Sequence, residues 1–508
     1  MTLPGAGSRP GGRSVPALTR TRLMSRSLRL LAAAVMAATP LAAQQPDAAL
    51  VARARAIHDR VIKIDTHVDF DPGNMSDTPP NYVTGMRRQV DLPKMKAGYN
   101  GIFFSIYVGQ SDDLTPAGFQ RAYDVDIAKF EAVHKLAEKM APGQIEIAKT
   151  AADVRRIVKA GKLVALMGVE NGYGIGTDVT NVKKFADYGA RYLSLAHNGH
   201  NQLSDSNTGE ATNTWSHTGV SALGKQVVAE ANKWGILLDI SHPSKASNLW
   251  VMANSKAPVI ASHSGVRALC PTASRDLDDE QLQALKKNGG VMQTVAFASY
   301  VNCTPAQSPE RTAAIDAIAK EFNMPAAAVG RGNAPGGLGG GRGAGAERSA
   351  ACSIGDPADE PAPATAAGGR GGRGGAGGGR GGRGGNPMDA MDDATRTRFN
   401  QRIEELNKNY PAPAPARRAT VQDFVTHIDY AVKLIGIDHV GISSDFDGGG
   451  GIDGFNCAPE AVNVTIELVK RGYTEEQIAK LWGGNLLRVM EKAEQVAKQL
   501  QATAPAKK

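Results

Sequence analysis

The sequence predicts a (β/α)8 TIM-type barrel. Eight short apolar runs recur along the chain of 508 residues, and most of them are separated by segments of helix length. Strands that alternate with helices are typical of a parallel sheet covered by helices. His, Asp or Glu residues occur at the same end of six runs, which is where a barrel carries its active-site groups. The runs span residues 61–69, 100–108, 163–169, 191–196, 235–241, 257–262, 289–297 and 438–444.

Residues 235–270 contain the clearest of these units. Two apolar runs each end in a serine followed by a histidine, and the segment 245–253 between them has a helical pattern. A β-α-β unit makes its two strands parallel neighbours, so His242 and His263 are expected at the same edge of the sheet. One such histidine would most simply end a strand, whereas a matched pair favours a metal site.

The remaining runs extend this pattern. His67 and Asp69 lie two positions apart at the end of the first run, so their side chains are expected on one face of the strand. Helix caps would explain one or two polar strand ends, but they do not explain six. We therefore predict a catalytic metal centre at this end of the barrel. Its candidate residues are His67, Asp69, Glu170, His197, His242, His263 and Asp445.

One connection is far longer than an ordinary loop. Residues 330–386, which precede the last run, are dominated by glycine and contain Arg-Gly-Gly repeats. This composition buries too little apolar surface to fold, so we expect a disordered insertion. It would divide the catalytic barrel into residues 44–329 and residues 387–508. Helices are predicted at 47–60, 119–140, 226–234, 279–288, 311–322, 393–409, 458–471 and 474–501.

The first 43 residues are predicted to form a signal peptide. Arginines precede the apolar run 30–38, and Ala42-Ala43 before Gln44 offers a small-residue cleavage site. The long segment before this run suggests that translation starts at Met24. No cysteine follows the cleavage site to carry a lipid anchor, and the apolar run is too short for a transmembrane helix. We therefore expect an exported protein, periplasmic or secreted.

The formal net charge of +8 arises outside the predicted barrel. The first 43 residues hold six arginines and no acidic residue, and residues 330–386 hold seven arginines against four acidic residues. The rest of the chain is close to neutral, so its charge does not favour nucleic acid as a partner. Binding of RNA by the Arg-Gly-Gly repeats is disfavoured in an exported protein.

Export also changes what the four cysteines are expected to do. Disulfides persist outside the cytosol, so Cys270 and Cys303 could pair. Cys352 and Cys457 are left to pair with each other or to remain free. No CxxC motif occurs, which gives a thiolate zinc site little support.

Seven short motifs occur in the order IDTHVD at 64–69, MGVENG at 167–172, RYLSLAHN at 191–198, GILLDISHPS at 235–244, PVIASHS at 258–264, DHVGISSDFDG at 438–448 and NLLRVME at 485–491. With these motifs the chain resembles the membrane (renal-type) dipeptidase family, metal-dependent barrels of the amidohydrolase superfamily. The resemblance covers residues 61–495 apart from the long insertion. It implies hydrolysis of the peptide bond in dipeptides whose second residue is L or D.

The resemblance implies two metal ions, with Glu170 as their bridging ligand. Three imidazoles and two carboxylates suit two Zn²⁺ ions, and Mn²⁺ or Co²⁺ would also fit. A hydroxide held between the two ions would attack the peptide carbonyl. The ligands besides Glu170 would be His67, Asp69, His242 and His263.

The resemblance also implies roles for residues around the metals. His197 would contact the substrate and stabilise the oxyanion, and Asp445 would shuttle the proton. Arg275 would hold the substrate carboxylate, with Arg267 as its rival. Cys270 and Cys303 match a family disulfide. The sequence leaves the oligomeric state open, and a homodimer is possible.

Three departures from the family pattern leave the ligands intact and bear on substrate preference. The usual Glu-Gly-Gly-His is Glu-Asn-Gly-Tyr at 170–173, Val68 replaces a common Asn, and Phe297 stands where some relatives have tyrosine. One alternative function is therefore a related exported amidohydrolase that acts on N-acyl amino acids or lactams. A second alternative is a non-catalytic protein that binds polyanions through its Arg-Gly-Gly segment.

Overall fold

A computed structural model describes residues 47–303, 305, 307–323, 329, 349–357, 392–412 and 417–503. The predicted signal peptide lies outside these residues. Eight parallel strands form the barrel in the order β1-β2-β4-β5-β6-β7-β8-β9, and β3 pairs with β4 outside this circuit. The strands are β1 (Ile64–Val68), β2 (Gly101–Tyr107), β3 (Ile145–Ile147), β4 (Leu163–Glu170), β5 (Ala190–Ser194), β6 (Leu237–Asp239), β7 (Ile260–Ser264), β8 (Val291–Val295) and β9 (Val440–Ser443).

The circuit closes between its first and last strands. Val68 in β1 forms a parallel bridge with Phe446, just after β9, and the Asp69 amide donates to the Phe446 carbonyl at 2.9 Å. The predicted TIM-type barrel is confirmed, and each predicted run overlaps one barrel strand. One strand was not predicted, namely β3, whose three residues pair in parallel with the start of β4.

Helices cover the strands and form the connections between them. Every helix predicted from the sequence is present, and Asp47 caps the first through a hydrogen bond from the Ala49 amide. No helix in the described part of the chain is long and apolar enough to cross a membrane. The α-helices are α1 (Ala48–Arg60), α2 (Leu92–Gly98), α3 (Pro116–Lys135), α4 (Ala151–Lys159), α5 (Asn181–Tyr188), α6 (Ala222–Trp234), α7 (Lys245–Asn254), α8 (Asp279–Asn288), α9 (Ala298–Val301), α10 (Pro309–Glu321), α11 (Asp393–Asn409), α12 (Val421–Ile435), α13 (Ala461–Lys470), α14 (Glu475–Ala479) and α15 (Asn485–Ala502).

The last helix closes the N-terminal end of the barrel. The Asn485 amide group donates to the Val440 carbonyl at the start of β9, and Arg488 donates to the Gly289 carbonyl just before β8, both at 2.8 Å. Leu486 and Met490 pack against apolar side chains that come from seven of the strands. Because this end is filled, the cavity that could hold a substrate lies at the opposite, C-terminal end of the strands.

One part of the predicted insertion is folded. Residues 349–357 contain a 3-10 helix and are held to the barrel by a disulfide between Cys352 and Cys457. Asp356 pairs with buried Lys94 at 3.1 Å, and Ser349 donates to Glu460 at 2.5 Å. The expectation of disorder is therefore wrong for 349–357, because these contacts compensate for the glycine-rich surroundings. The rest of residues 330–386 lies outside the described residues.

The second disulfide joins Cys270 to Cys303 and confirms the predicted pair. It connects the segment after β7 with the end of α9. Residues 265–277, which contain Cys270, are further held by a bridge between Val266 and Leu277 and by a hydrogen bond from the Gly265 amide to Asp276 at 2.9 Å. This segment carries both arginines proposed to bind the substrate carboxylate.

Candidate metal centre

The C-terminal ends of the strands bring together all seven residues of the predicted metal centre. Glu170 is the last residue of β4, where the alternation of side chains places it on the same face as the interior residues Val164 and Leu166. The imidazoles come from the ends of β1, β5, β6 and β7, and Asp445 follows β9. Four groupings of three candidate ligands occur in the described chain, and three of them lie here.

The two oxygens of Glu170 face different histidines. Its Oε2 is 3.3 Å from His67 Nε2. Its Oε1 is 3.0 Å from His242 Nε2 and 3.5 Å from His263 Nε2, and these two nitrogens are themselves 3.0 Å apart. His197 Nε2 lies 3.6 Å from the same Oε1. The carboxylate thus stands between two sets of imidazole nitrogens.

Asp69 and Asp445 complete the side of the site that includes His67. Asp69 Oδ2 is 3.5 Å from His67 Nε2, and one ligand atom from each of these three residues falls within 4.8 Å of the others. Gly448 packs so closely that a Cβ there would collide with both carboxylates. A glycine is therefore required at 448 to leave room for the two acids.

Polar groups behind the histidines orient their rings. The hydroxyl of Tyr192 is 2.8 Å from His67 Nδ1, and the side-chain carbonyl of Asn198 is 3.1 Å from His242 Nδ1. Gly168 leaves the space for the Tyr192 ring, since a Cβ there would overlap it. Hydrogen bonds to Nδ1 leave Nε2 of each imidazole directed at Glu170, as ligating histidines require.

A similar chain of hydrogen bonds supports His263 and Glu170. Asp239 in β6 accepts from Ser262 Oγ at 2.6 Å, and this hydroxyl is 2.7 Å from His263 Nδ1. Ser105 in β2 donates to Glu170 Oε2 at 3.1 Å. The sequence analysis did not single out these supporting residues. The polar residues Tyr192 and Asp239 inside apolar runs were the available signal.

The backbone is strained where the site residues follow their strands. His242 and Asp445 have φ angles of 79° and 58°, and Asn171, which follows Glu170, has φ of 79°. Such left-handed conformations are unfavourable for residues other than glycine and cluster at functional sites. Asparagine tolerates this region better than most residues, which explains how it replaces the family's usual glycine at 171.

Electrostatics favour the protonation states that metal ligands need at Glu170, His242 and His263. Burial raises the pKa of a carboxyl group, yet the adjacent His67 and His197 imidazoles prevail and hold the pKa of Glu170 well below its ordinary value. Burial holds the pKa values of His242 and His263 well below the ordinary value, which leaves these rings neutral. Metal ions bind ionised carboxylates and neutral imidazoles.

The chemistry of the donor set fits bound metal ions. His67 Nε2 is buried and has no hydrogen-bond partner in the described chain, although it faces two carboxylates. Burial opposes protonation of His67, but Tyr192 and Glu170 outweigh it and raise its pKa well above the ordinary value. The site therefore attracts positive charge at this position, which a ligated cation supplies.

The residues face a cavity of about 640 Å³ at the C-terminal end of the barrel. Arg275 lies in its wall, 6% exposed, with Nη2 donating to the His263 carbonyl at 3.0 Å and its guanidinium 5.7 Å from the Tyr300 ring centre. Arg267 instead pairs with Glu210 at 2.6 Å and does not line the cavity. Of the two arginines, Arg275 is therefore the one that lines the cavity.

Comparison with known proteins agrees with this arrangement. A family model described as Membrane dipeptidase (Peptidase family M19) matches residues 51–504. The chain belongs to the membrane dipeptidase family. It is thus an enzyme, a metal-dependent hydrolase that acts on dipeptides, as the motifs predicted. Membership in this family favours a catalytic function over the alternative of a non-catalytic protein that binds polyanions.

Individual relatives match over most of their length. Dipeptidase aclJ of Aspergillus oryzae is 27% identical over 422 residues, covering 82% of this chain and 73% of the relative. Dipeptidase ataJ of Aspergillus terreus is 26% identical over 482 residues, 89% of each chain. The crystal structure of the probable dipeptidase PvdM from Pseudomonas aeruginosa is 28% identical with a TM-score of 0.61, covering 88% of this chain and 99% of that one.

The hydrogen bond between Tyr192 and His67 gives a testable expectation. Replacing Tyr192 with Phe removes the partner of His67 Nδ1 but keeps the ring that fills the space above Gly168. We expect metal affinity to fall about 10- to 100-fold, the usual effect of losing an outer partner of a ligating histidine. Chelator competition measures this affinity directly. Tyr123→Phe on the outer helix α3 is the matched control, and equal affinities in the two variants would contradict the orienting role.

Proposed function

We propose that the chain is an exported dipeptidase that uses two zinc ions held by His67, Asp69, Glu170, His242 and His263. The observation that carries this proposal is the position of Glu170, whose two oxygens face separate imidazole sets at 3.0–3.5 Å. A carboxylate in this position can bridge two ions. Three imidazoles and two carboxylates are a donor set suited to zinc.

When bound, such a pair of ions supplies a nucleophile from water at neutral pH and polarises the carbonyl under attack. The residues around the ions then have the remaining tasks of proton transfer, charge stabilisation and substrate orientation. Each task matches one side chain in the cavity wall, namely Asp445, His197 and Arg275.

Asp445 is the proton carrier in this proposal. Its carboxyl group lies beside Asp69 and His67 and lines the cavity, and it stands outside the five residues proposed here as ligands. It can accept a proton from the attacking water and donate it to the nitrogen of the leaving amine. The strained backbone at Asp445, with φ of 58°, is consistent with a side chain held in a set direction.

His197 stabilises the negative charge that develops on the carbonyl oxygen. Its Nε2 points into the ligand cluster, 3.6 Å from Glu170 Oε1, and the ring of Tyr107 packs edge-on against it with centres 4.8 Å apart. A hydrogen-bond donor fixed in this way acts without reorganisation during the reaction.

Arg275 restricts the enzyme to short substrates. Its guanidinium can bind the C-terminal carboxylate of a dipeptide through two parallel hydrogen bonds. A longer peptide has an amide at this position, so it lacks the charge that the arginine requires. The peptide bond next to this carboxylate is then the one presented to the metal centre.

Export of the enzyme is supported by the basic and apolar pattern of residues 1–43 and by the two disulfides. Disulfides form and persist in oxidising compartments such as the periplasm and the extracellular space. We propose that the segment up to Ala43 directs this export and is removed.

The proposed function is tested by measuring the metal content of the purified protein and its rate of hydrolysis on a panel of substrates. We expect about two equivalents of zinc per chain, hydrolysis of dipeptides, and loss of activity on chelation that added metal restores. N-acyl amino acids and lactams serve as comparison substrates. Turnover of these compounds without turnover of dipeptides would instead support the alternative amidohydrolase function.

Substitution of Asp445 separates proton transfer from metal binding. In Asp445→Ala we expect kcat to fall by at least about 100-fold, the lower range for loss of a general acid-base group, while metal content stays unchanged. Asp438→Ala, at the start of the same strand region and exposed, is the control for non-specific effects. A variant at 445 that keeps near-normal kcat would rule out the assignment.

Arg275 is tested with a pair of substrates that differ only in their terminal group. A dipeptide and its C-terminal amide should differ strongly in kcat/KM with the native enzyme, because only the former carries the carboxylate. In Arg275→Met we expect this discrimination to shrink, mainly through a raised KM for the dipeptide. If Arg267→Met showed the loss and Arg275→Met did not, the rival arginine would take the role.

A further inference from the structure

A lysine that the family resemblance did not assign lies in the wall of the cavity. Lys129 is on α3, the helix that follows β2, and is only 7% exposed. It lines the same cavity as the metal centre and Arg275. Lysine is rarely buried to this extent without a partner, so its surroundings indicate what it binds.

The contacts that Lys129 makes within the protein are weak. Its ammonium group donates to the carbonyls of Phe70 and Ser105, both at the long distance of 3.3 Å. It lies 4.9 Å from the centre of the Phe70 ring and 5.5 Å from that of Tyr107. Neutral carbonyls and ring faces compensate a buried positive charge only in part.

No carboxylate compensates this charge by direct contact. In the part of the chain that the structure describes, Lys129 forms no ion pair. Asp126, one turn earlier on α3, is fully buried and both of its carboxyl oxygens lack a hydrogen-bond partner. Burial raises the pKa of Asp126 well above its ordinary value, which favours the neutral acid.

Three other acids act on Lys129 from a distance. Asp69 and Glu170 belong to the proposed ligand set, where their charge serves the metal ions, and Asp71, which also lines the cavity, forms no ion pair with the lysine in the described chain. Burial lowers the pKa of Lys129, in keeping with the long distances to its two carbonyl partners. An acceptor that enters from the cavity would supply them, because the protein surrounds the group on its other sides.

The position of Lys129 indicates which part of a substrate it would meet. Its carbonyl partners lie at the ends of β1 and β2, whereas Arg275 follows β7 and contacts the end of that strand and Tyr300. Around the barrel, the strands next to Lys129 (β1 and β2) are separated from β7, which precedes Arg275, by three strands in one direction and by two in the other. These are β4, β5 and β6 in the first direction and β8 and β9 in the second. A dipeptide with its C-terminal carboxylate on Arg275 therefore directs its N-terminal residue toward Lys129.

We propose that Lys129 is a specificity-determining residue that selects dipeptides with an acidic N-terminal residue. The side-chain carboxylate of an N-terminal Glu or Asp accepts a charge-assisted hydrogen bond from Lys129 Nζ. This inference rests on the proposed dipeptidase function and names its substrate class. A neutral side chain of equal size would leave the ammonium group buried and uncompensated.

The dipeptides Glu-Ala and Gln-Ala test this proposal, since their N-terminal side chains have the same shape and differ in charge. With the native, metal-loaded enzyme we expect kcat/KM for Glu-Ala to exceed that for Gln-Ala about tenfold or more, the effect of one hydrogen bond to a charged group. The difference should appear mainly in KM, because the side chain is remote from the reacting bond. Equal values for the two substrates would overturn the proposal without any variant.

Two variants connect the preference to the lysine. In Lys129→Met, which keeps the length of the side chain, the ratio of kcat/KM for Glu-Ala over Gln-Ala should fall toward one, and metal content should equal that of the native enzyme. Lys135→Met, on the exposed face of α3 where it pairs with Asp77, should keep the native ratio. An unchanged ratio in Lys129→Met would refute the assignment.

The outcomes also distinguish this inference from the function on which it rests. If no dipeptide in the panel is hydrolysed by the metal-loaded protein, the proposed function itself fails. If dipeptides are hydrolysed but an acidic N-terminal residue gives no advantage, only the role of Lys129 fails. If Lys129→Met loses its metal, the lysine supports the metal site and is not a specificity residue.

Discussion

The position of one carboxylate, Glu170, determines much of this structure. Holding an ionised acid among four imidazoles, three of them buried, requires a rigid enclosure, and the barrel supplies it by ending several strands around a common point. The small residues nearby are consequences of the same requirement. Gly168 makes room for the tyrosine that orients His67, and Gly448 makes room for Asp69 beside Asp445. The site is thus built by the strands, with little dependence on long loops.

Two opposing demands meet at this end of the barrel. The core needs buried apolar surface for stability, while the site needs buried polar groups, each of which is costly unless it is hydrogen-bonded. Hydrogen-bonded chains such as Asp239 to Ser262 to His263 satisfy most of them. Within the site, His67 Nε2 stays unsatisfied in the described chain and marks a position where a ligand is required. The opposite end is closed by α15.

The fold, and the clustering of the candidate site residues, could be predicted from the sequence for a simple reason. In parallel strands the carboxyl ends converge, so residues distant in sequence such as His67 and His263 could be placed together from their position at strand ends alone. The same reasoning could not identify Tyr192, Ser105 or Lys129, because their roles depend on contacts across neighbouring elements. The short strand β3 was missed because its three residues, Ile-Glu-Ile, lack an extended apolar pattern.

The glycine-rich insertion shows a further limit of compositional arguments. Residues 349–357 have no hydrophobic periodicity, and they fold through a disulfide and an ion pair with the buried Lys94. Cys352 was the residue in this stretch that could have indicated local order, through its disulfide. The average composition of residues 330–386 gave no indication of it. A segment can therefore be poor in apolar residues and still be ordered where covalent and charged contacts replace a core.

The Cys352–Cys457 bond also ties the stability of the enzyme to the compartment in which it folds. It closes a loop with a sequence separation of 105 residues, and in a chain-entropy model such a constraint destabilises the unfolded state by about 4–5 kcal/mol. In a reducing compartment the bond does not persist, and the long connection before β9 then regains its full freedom when unfolded. An oxidising environment thus acts as a folding factor for this barrel.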